Sequence, residues 1–180
     1  MQAREIVLGL LMQGPMSGYD IKQQYESRMR HFFNASYGSV YPTLKLLEKE
    51  GLLEKKLVVQ EGKPNKNMYS ITESGLQQFL IYVNSPVQED IVRSDLTARL
   101  YFGSAISQEQ LIAQLKESIT YRKRVISQLS HVYQTRKDKI PKTQIVSIQF
   151  GLHIYRSQVE VLERSIEYIR SNERLLDYWD

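Results

Sequence analysis

The sequence predicts a mainly α-helical chain in two parts: three helices, a β-hairpin and a fourth helix, followed by a region of long helices. Three observations carry this. Apolar residues recur at three- and four-residue spacing along most of the 180 residues. The segment after Gly51 breaks that period, because it is rich in β-formers on either side of the turn-like EGKPNKN. Near the C-terminus, Ile145 to Ile169 hold an apolar seam that alternates spacings of three and four.

In chain order, Ala3, Val7 and Leu10, with Leu8 and Leu11 beside them, predict a first helix that Gly14-Pro15 stops. Ser17-Gly-Tyr-Asp20 is capping-box-like and opens a second helix with Ile21, Tyr25, Met29 and Phe32, running to about Arg30. Val40, Leu44 and Leu47 form the apolar side of a third helix, and Gly51 suits its left-handed cap. LLEKKLVVQ then reads as a strand, EGKPNKN as a basic turn and MYSI as a short second strand. Thr72 caps a fourth helix bearing Leu76, Phe79, Leu80 and Val83, which Asn84-Ser-Pro86 breaks. The order is that of a winged helix-turn-helix over residues 1–85, in which the third helix enters the major groove of DNA and the hairpin lies beside it.

Residues 86–180 read as a helical dimerisation domain. Val87 to Phe102 predict one short bridging helix, and Ser107-Gln-Glu-Gln110 is a second capping box, followed by Leu111, Leu115, Ile119, Ile126, Leu129 and Val132. After the loop RKDKIPK, the last helix carries the seam Ile145, Ile148, Leu152, Tyr155, Val159, Leu162, Ile166 and Ile169, with a second stripe at Ile154, Val161 and Tyr168. A helix apolar on two faces needs two partners. The helix from Ser107 can be one; the other is the chain's own N-terminal domain or a second subunit, and the seam is the candidate for joining two subunits.

The third helix shows what chemistry the chain is built for. Its first turn is crowded with Gly38, Tyr37, Tyr41 and Pro42. A helix start that must approach a phosphate needs room, free N–H groups and a positive dipole end. Gly38 gives the room, and Pro42 lacks an N–H only where the helix has no partner for one. Tyr41 and Lys45, four residues apart, point away from Val40, Leu44 and Leu47 and present a hydroxyl and an ammonium. From Lys22 to Lys66 there are nine basic residues against five acidic, a mild positive bias within a net charge of +4.

Other chemistry finds little support. There is no cysteine, which excludes disulfides, a thiolate nucleophile and Cys-based zinc, and fits a cytoplasmic protein. His31, His131 and His153 form no HxxxH or HExxH pattern, and GxGxxG, GxxxxGK[ST] and GxSxG are absent. Glu48, Glu50 and Glu54 sit among lysines as a solvated helix end rather than a carboxylate pair. The expectation is a non-enzyme without cofactor or metal. No apolar run reaches the roughly 20 residues that span a bilayer, and the N-terminus does not read as a signal peptide.

SGYDI at Ser17 to Ile21, SVYPTLKLLEKEGLLEKK at Ser39 to Lys56 and MYSITESG at Met68 to Gly75 together resemble the PadR family of bacterial transcriptional regulators, in order and spacing. The C-terminal half is more loosely similar to the larger, virulence-activator-like branch. The resemblance implies a homodimeric, usually repressing, DNA-binding protein, released in some members by a small aromatic effector. Matching positions give DNA-facing roles to Tyr41, Pro42, Lys45 and the wing residues Lys63, Asn65 and Lys66. Tyr19, Ser36, Tyr37, Gly38 and Ser39 complete the candidate surface, although Tyr19 and Tyr37 can equally pack on a neighbour. Tyr101 and Phe102 are candidate walls of an effector cavity. The resulting reading is a dimeric repressor on a near-palindromic double-stranded operator. Two alternatives stand beside it: a helical interaction module whose winged helix binds protein, and an enzyme assembled from the linker and tyrosines.

Overall fold

The computed structural model describes residues 3–26, 40–59, 65–88 and 94–171. The chain divides into two compact units, Met1–Glu89 and Asp90–Asp180.

In the N-terminal unit, helix α1 (Ala3–Leu11) buries Ile6, Val7, Leu8, Leu10 and Leu11, so it lies within the core rather than along its edge. Gly14, at φ +125, turns the chain into strand β1 (Met16–Ser17) and helix α2 (Gly18–Gln24). The capping box forms as the sequence predicts: the Asp20 N–H donates to Ser17 Oγ at 3.1 Å, and the Ser17 N–H donates to Asp20 Oδ2 at 3.1 Å. The end of the second helix lies outside the described residues.

Helix α3, described over Val40–Lys49, buries Val40, Leu44 and Leu47 as its periodicity predicts. Its C-terminus is a Schellman cap. Gly51 takes φ +71, the Leu52 N–H donates to the Leu47 carbonyl at 2.9 Å, and the Gly51 N–H donates to the Glu48 carbonyl at 3.0 Å. Both orphan carbonyls are thereby satisfied, and the chain is aimed directly into strand β2 (Leu53–Val58).

Strand β3 (Lys66–Ile71) pairs antiparallel with β2 from Leu53↔Ile71 to Val58↔Lys66. The second strand therefore starts two residues earlier than MYSI implies, and Lys66 and Asn67 belong to the ladder rather than the turn. Cross-strand pairing decides this, because Lys and Asn have low β-propensity of their own. On its other edge β3 pairs with β1, giving the sheet order β1-β3-β2. A two-residue strand has too little pattern to be read from sequence.

Helix α4 (Glu73–Asn84) opens at Thr72, whose Oγ1 accepts from the Gly75 N–H at 3.1 Å and donates to the Gly51 carbonyl at 2.8 Å. One threonine thus caps α4 and ties it to the end of α3. Leu8, Leu10, Leu11, Ile21, Leu44 and Leu47 lie at the centre of this unit's core.

The C-terminal unit contains α5 (Asp95–Tyr101), a 3-10 turn over Gly103–Ala105, α6 (Gln108–Arg136) and α7 (Lys142–Arg170). The Ser107–Gln110 capping box starts α6. Its buried side is Ile112, Leu115, Ile119, Val125 and Leu129, rotated slightly from the expected stripe: Leu111, Ile126 and Val132 are only half-buried. Leu111 and Ile112 are adjacent apolar residues, as are Val125 and Ile126, so either phase fits the spacing and only the packing partner selects one. That partner is α7. Ile112, Leu115 and Ile119 cluster with Val159, Leu162 and Ile166, joined by Leu96 and Leu100 of α5. Lys123 pairs with Glu163 at 2.7 Å and Arg122 Nε donates to Gln158 at 2.9 Å, fixing the register of the helical hairpin at its rim.

Candidate nucleic-acid interface

One face of α3 is locked into the core, so the opposite face is presented to solvent by default. Tyr41, Pro42, Lys45 and Leu46 lie there, with Tyr41 50% exposed. Two ion pairs brace the helix near its end: Glu48 with Lys55 of β2 at 2.9 Å, and Glu50 with Arg4 of α1 at 2.7 Å. Each contributes little to stability at the surface. Their arrangement matters more, since together they fix the rotation of α3 relative to the hairpin and α1. The Glu48 hydrogen bond and charge also raise the Lys55 pKa.

Beside the exposed face, α2, α3 and β3 enclose a concavity of about 380 Å³ lined by Ser17, Gly18, Tyr19, Asp20, Tyr41, Lys66, Asn67 and Tyr69. The Tyr19 ring is 65% exposed at its mouth, while Tyr69 is buried at its floor, and that burial pushes the Tyr69 phenol up. Hydrogen bonds from the Ser17 hydroxyl and backbone hold the Asp20 carboxyl below the usual range, and Lys66 acts in the same direction. The capping box therefore contributes stability above the ordinary carboxylate pKa, and that contribution is lost as pH falls through the lowered one. With Asp20 committed to the cap, the remaining polar groups of the cavity are three phenols, one of them buried, an ammonium and an amide. Such a set suits an oxyanion-rich polymer that also offers flat apolar surface.

Of the sequence-predicted surface, the structure brings together Tyr19, Tyr41 and Lys66 in this cavity. Pro42 and Lys45 lie on the adjoining face of α3, and Asn65 is exposed just before β3. Ser36, Tyr37, Gly38, Ser39 and Lys63 lie outside the described residues. Gly18, Asn67 and Tyr69 were not legible as site residues. Gly18 has the clearest physical role: a Cβ there would sit 2.8 Å from Tyr41 Cε1 and 3.4 Å from Leu44 Cδ1. Its φ is not positive, so it supplies room rather than conformational freedom. We expect Gly18→Ala to weaken folding while Tyr41 is present. In a Tyr41→Ala background it should turn mildly stabilising, by about 0.5 kcal/mol, as the helix sheds a glycine. A double-mutant cycle of urea midpoints checks the sign reversal.

In the C-terminal unit the seam from Ile145 to Ile169 faces α6 of the same chain. Ile148, Leu152, Val159, Leu162 and Ile166 are buried, and Ile145, Tyr155 and Ile169 half-buried. The residues expected to join two subunits thus join two helices. Another face of α7 remains open, where Val146, Phe150, Ile154 and Val161 are exposed. Tyr101 and Phe102 are exposed at the end of α5, their rings meeting edge-to-face at 5.0 Å. They do not line the groove of about 540 Å³ that Asp95, Arg99, Gln114 and Tyr121 help form between α5 and α6. Among the described residues no cluster of His, Asp and Glu could hold a metal, and no helix is long and apolar enough to cross a membrane.

A braced helix with a polar outer face, flanked by a three-stranded wing and followed by a long helical hairpin, defines a winged-helix regulator. The model of the PadR-like transcriptional regulator family matches residues 7–80. A crystal structure of a PadR-like transcriptional regulator from Bacillus cereus superposes with a TM-score of 0.83 at 37% identity, covering 95% of this chain and 99% of the other. A Streptococcus mutans protein gives 0.84 at 36%, covering 93% and 99%. The negative transcriptional regulator PadR of Bacillus subtilis is 28% identical over 172 residues, 94% of this chain and 93% of its own. Its crystal structure in complex with operator DNA superposes with a TM-score of 0.79 at 26% identity, covering 92% and 98%. The chain belongs to the PadR-like transcriptional regulator family, and the likeness to the Bacillus cereus structure extends through the helical C-terminal half.

Proposed function

We propose that the N-terminal unit binds double-stranded operator DNA with α3 in the major groove, and that the chain is a cytoplasmic homodimeric repressor. The observation that carries this is the junction of α2, α3 and β3, where Tyr19, Tyr41 and Lys66 converge beside the exposed Lys45. Phenols and lysines grip phosphate oxygens, and the exposed turn of α3 is positioned to reach base edges. The Bacillus subtilis relative, a negative regulator solved with operator DNA, supports the same reading. On it, residues 1–85 bind DNA and residues 86–180 pair the subunits.

The pairing surface is the open face of α7. With the Ile145–Ile169 seam closed by α6, Val146, Phe150, Ile154 and Val161 are left as an apolar stripe. Two domains held together engage two inverted half-sites, spaced about 10 base pairs centre to centre or a multiple of it.

Selection of bound fragments from the source genome tests the reading. The wild-type protein should enrich a small set of duplexes sharing an inverted repeat, and Tyr41→Ala/Lys45→Ala should enrich none. Recovery of the same fragments by both proteins would remove α3 from the interface.

A further inference from the structure

The outer face of α3 is not uniformly polar. Tyr41, Lys45 and Lys49 follow one another at four-residue spacing, and beside them Pro42 and Leu46 form a second, apolar row at the same spacing. All five side chains are exposed. Leu46 is 48% exposed while its sequence neighbour Leu47 is fully buried, because one step of the helix turns it away from the core. The acids of the same helix are held elsewhere: Glu48 pairs with Lys55 of β2 and Glu50 with Arg4 of α1. Lys45 and Lys49, which pair with no described carboxylate, are the charges left beside the apolar row.

A single exposed leucine is ordinary. A leucine between two cations, on a helix face read as meeting a polyanion, has a narrower choice of partner, since it gains nothing from a phosphate. Base pairs turn hydrogen-bond donors and acceptors toward the major groove with one apolar exception, the C5-methyl group of thymine. We propose that Leu46, with Pro42 one turn before it, packs on a thymine methyl and so selects an A·T pair at one position of each half-site. The proposal rests on the DNA-binding reading and adds to it a specificity-determining residue. The two rows then divide the work. Tyr41, Lys45 and Lys49 hold phosphates and fix the register of the helix, which carries no sequence information, and the apolar row supplies the discrimination. Leu46 lies in the second turn of the described helix, within the N-terminal part from which a recognition helix reaches base edges.

The test uses full-length protein and a labelled duplex drawn from the fragments that the wild type selects. Replacing its thymines by deoxyuridine, one position at a time, removes the methyl groups and leaves every hydrogen-bonding edge unchanged. The parent should bind about fourfold more weakly for each half-site when one particular thymine is replaced. Leu46→Ala should bind the thymine and deoxyuridine duplexes alike, with the parental salt slope, because the contact releases no counterions. It should also keep the parental melting temperature, since the side chain it loses lies outside the core. A parent indifferent to every replacement, or a Leu46→Ala protein that keeps the parental response to deoxyuridine, overturns the proposal. So does a melting temperature that falls with Leu46→Ala, which would make the protein itself the partner of this side chain. Tyr41→Ala/Lys45→Ala on the same duplex separates the two failures. If it binds like the parent, the DNA reading itself has failed; if it loses binding while deoxyuridine has no effect, only the thymine contact has.

Discussion

Replacing Gly75 with alanine is expected to destabilise the N-terminal unit by about 3 kcal/mol, although the same change in the first turn of an unconstrained helix would stabilise it. Gly75 lies in α4 where that helix passes over the end of α3. A Cβ there would fall 2.2 Å from the Leu52 carbonyl oxygen and 2.9 Å from Ile71 Cγ1. The obstacle is backbone and cannot rotate away. It is also already engaged, because the Leu52 carbonyl accepts from the Thr72 N–H at 3.1 Å, and the Thr72 hydroxyl holds the Gly51 carbonyl. Relieving the clash means separating α4 from the Schellman cap, which moves β2 and with it the wing. Urea unfolding should show a lower midpoint with little change in slope; a midpoint at or above that of the parent would mean that α4 does not approach Leu52 this closely.

Two substitutions two residues apart on α7 should fail in different ways. Leu152 is 2% exposed in the seam with α6, and Leu152→Asp places an unpaired carboxylate there at a cost of about 3 to 5 kcal/mol, enough to melt the helical hairpin. Phe150 is 63% exposed on the open stripe. Phe150→Asp should leave helicity and melting temperature near parental values while shifting sedimentation from dimer to monomer. Helicity lost in both variants, or a dimer retained by a well-folded Phe150→Asp protein, would place the subunit contact elsewhere.

These expectations mark where the sequence is readable. Local chemistry was legible: Ser17, Thr72 and Ser107 all cap helices, Gly51 takes the left-handed conformation, and Val40, Leu44 and Leu47 turn inward. Each of these depends on neighbours within a few residues. Partnership was not legible. The spacing of Ile145 to Ile169 states that one side of a helix must be covered, but whether α6 or a second subunit covers it is fixed by the topology of the hairpin. For the same reason the phase of α6 was ambiguous between Leu111 and Ile112, and β1 left no pattern at all. In the site, Tyr41 and Lys45 could be read as exposed because their own helix determines it. Gly18 and Gly75 could not be assigned their roles, since their importance lies in a ring or a carbonyl that approaches from a distant part of the chain.

On the proposed reading, the outer face of α3 and its adjoining wing form a surface for duplex DNA. The most direct test is the salt dependence of affinity for a selected duplex, measured for the parent and for Lys45→Ala. Neutralising several phosphates should give a steep linear fall of log affinity with log salt, and removing Lys45 should make that slope shallower by about one unit. Binding that is insensitive to salt, or a slope that Lys45→Ala leaves unchanged in a well-folded protein, would contradict it.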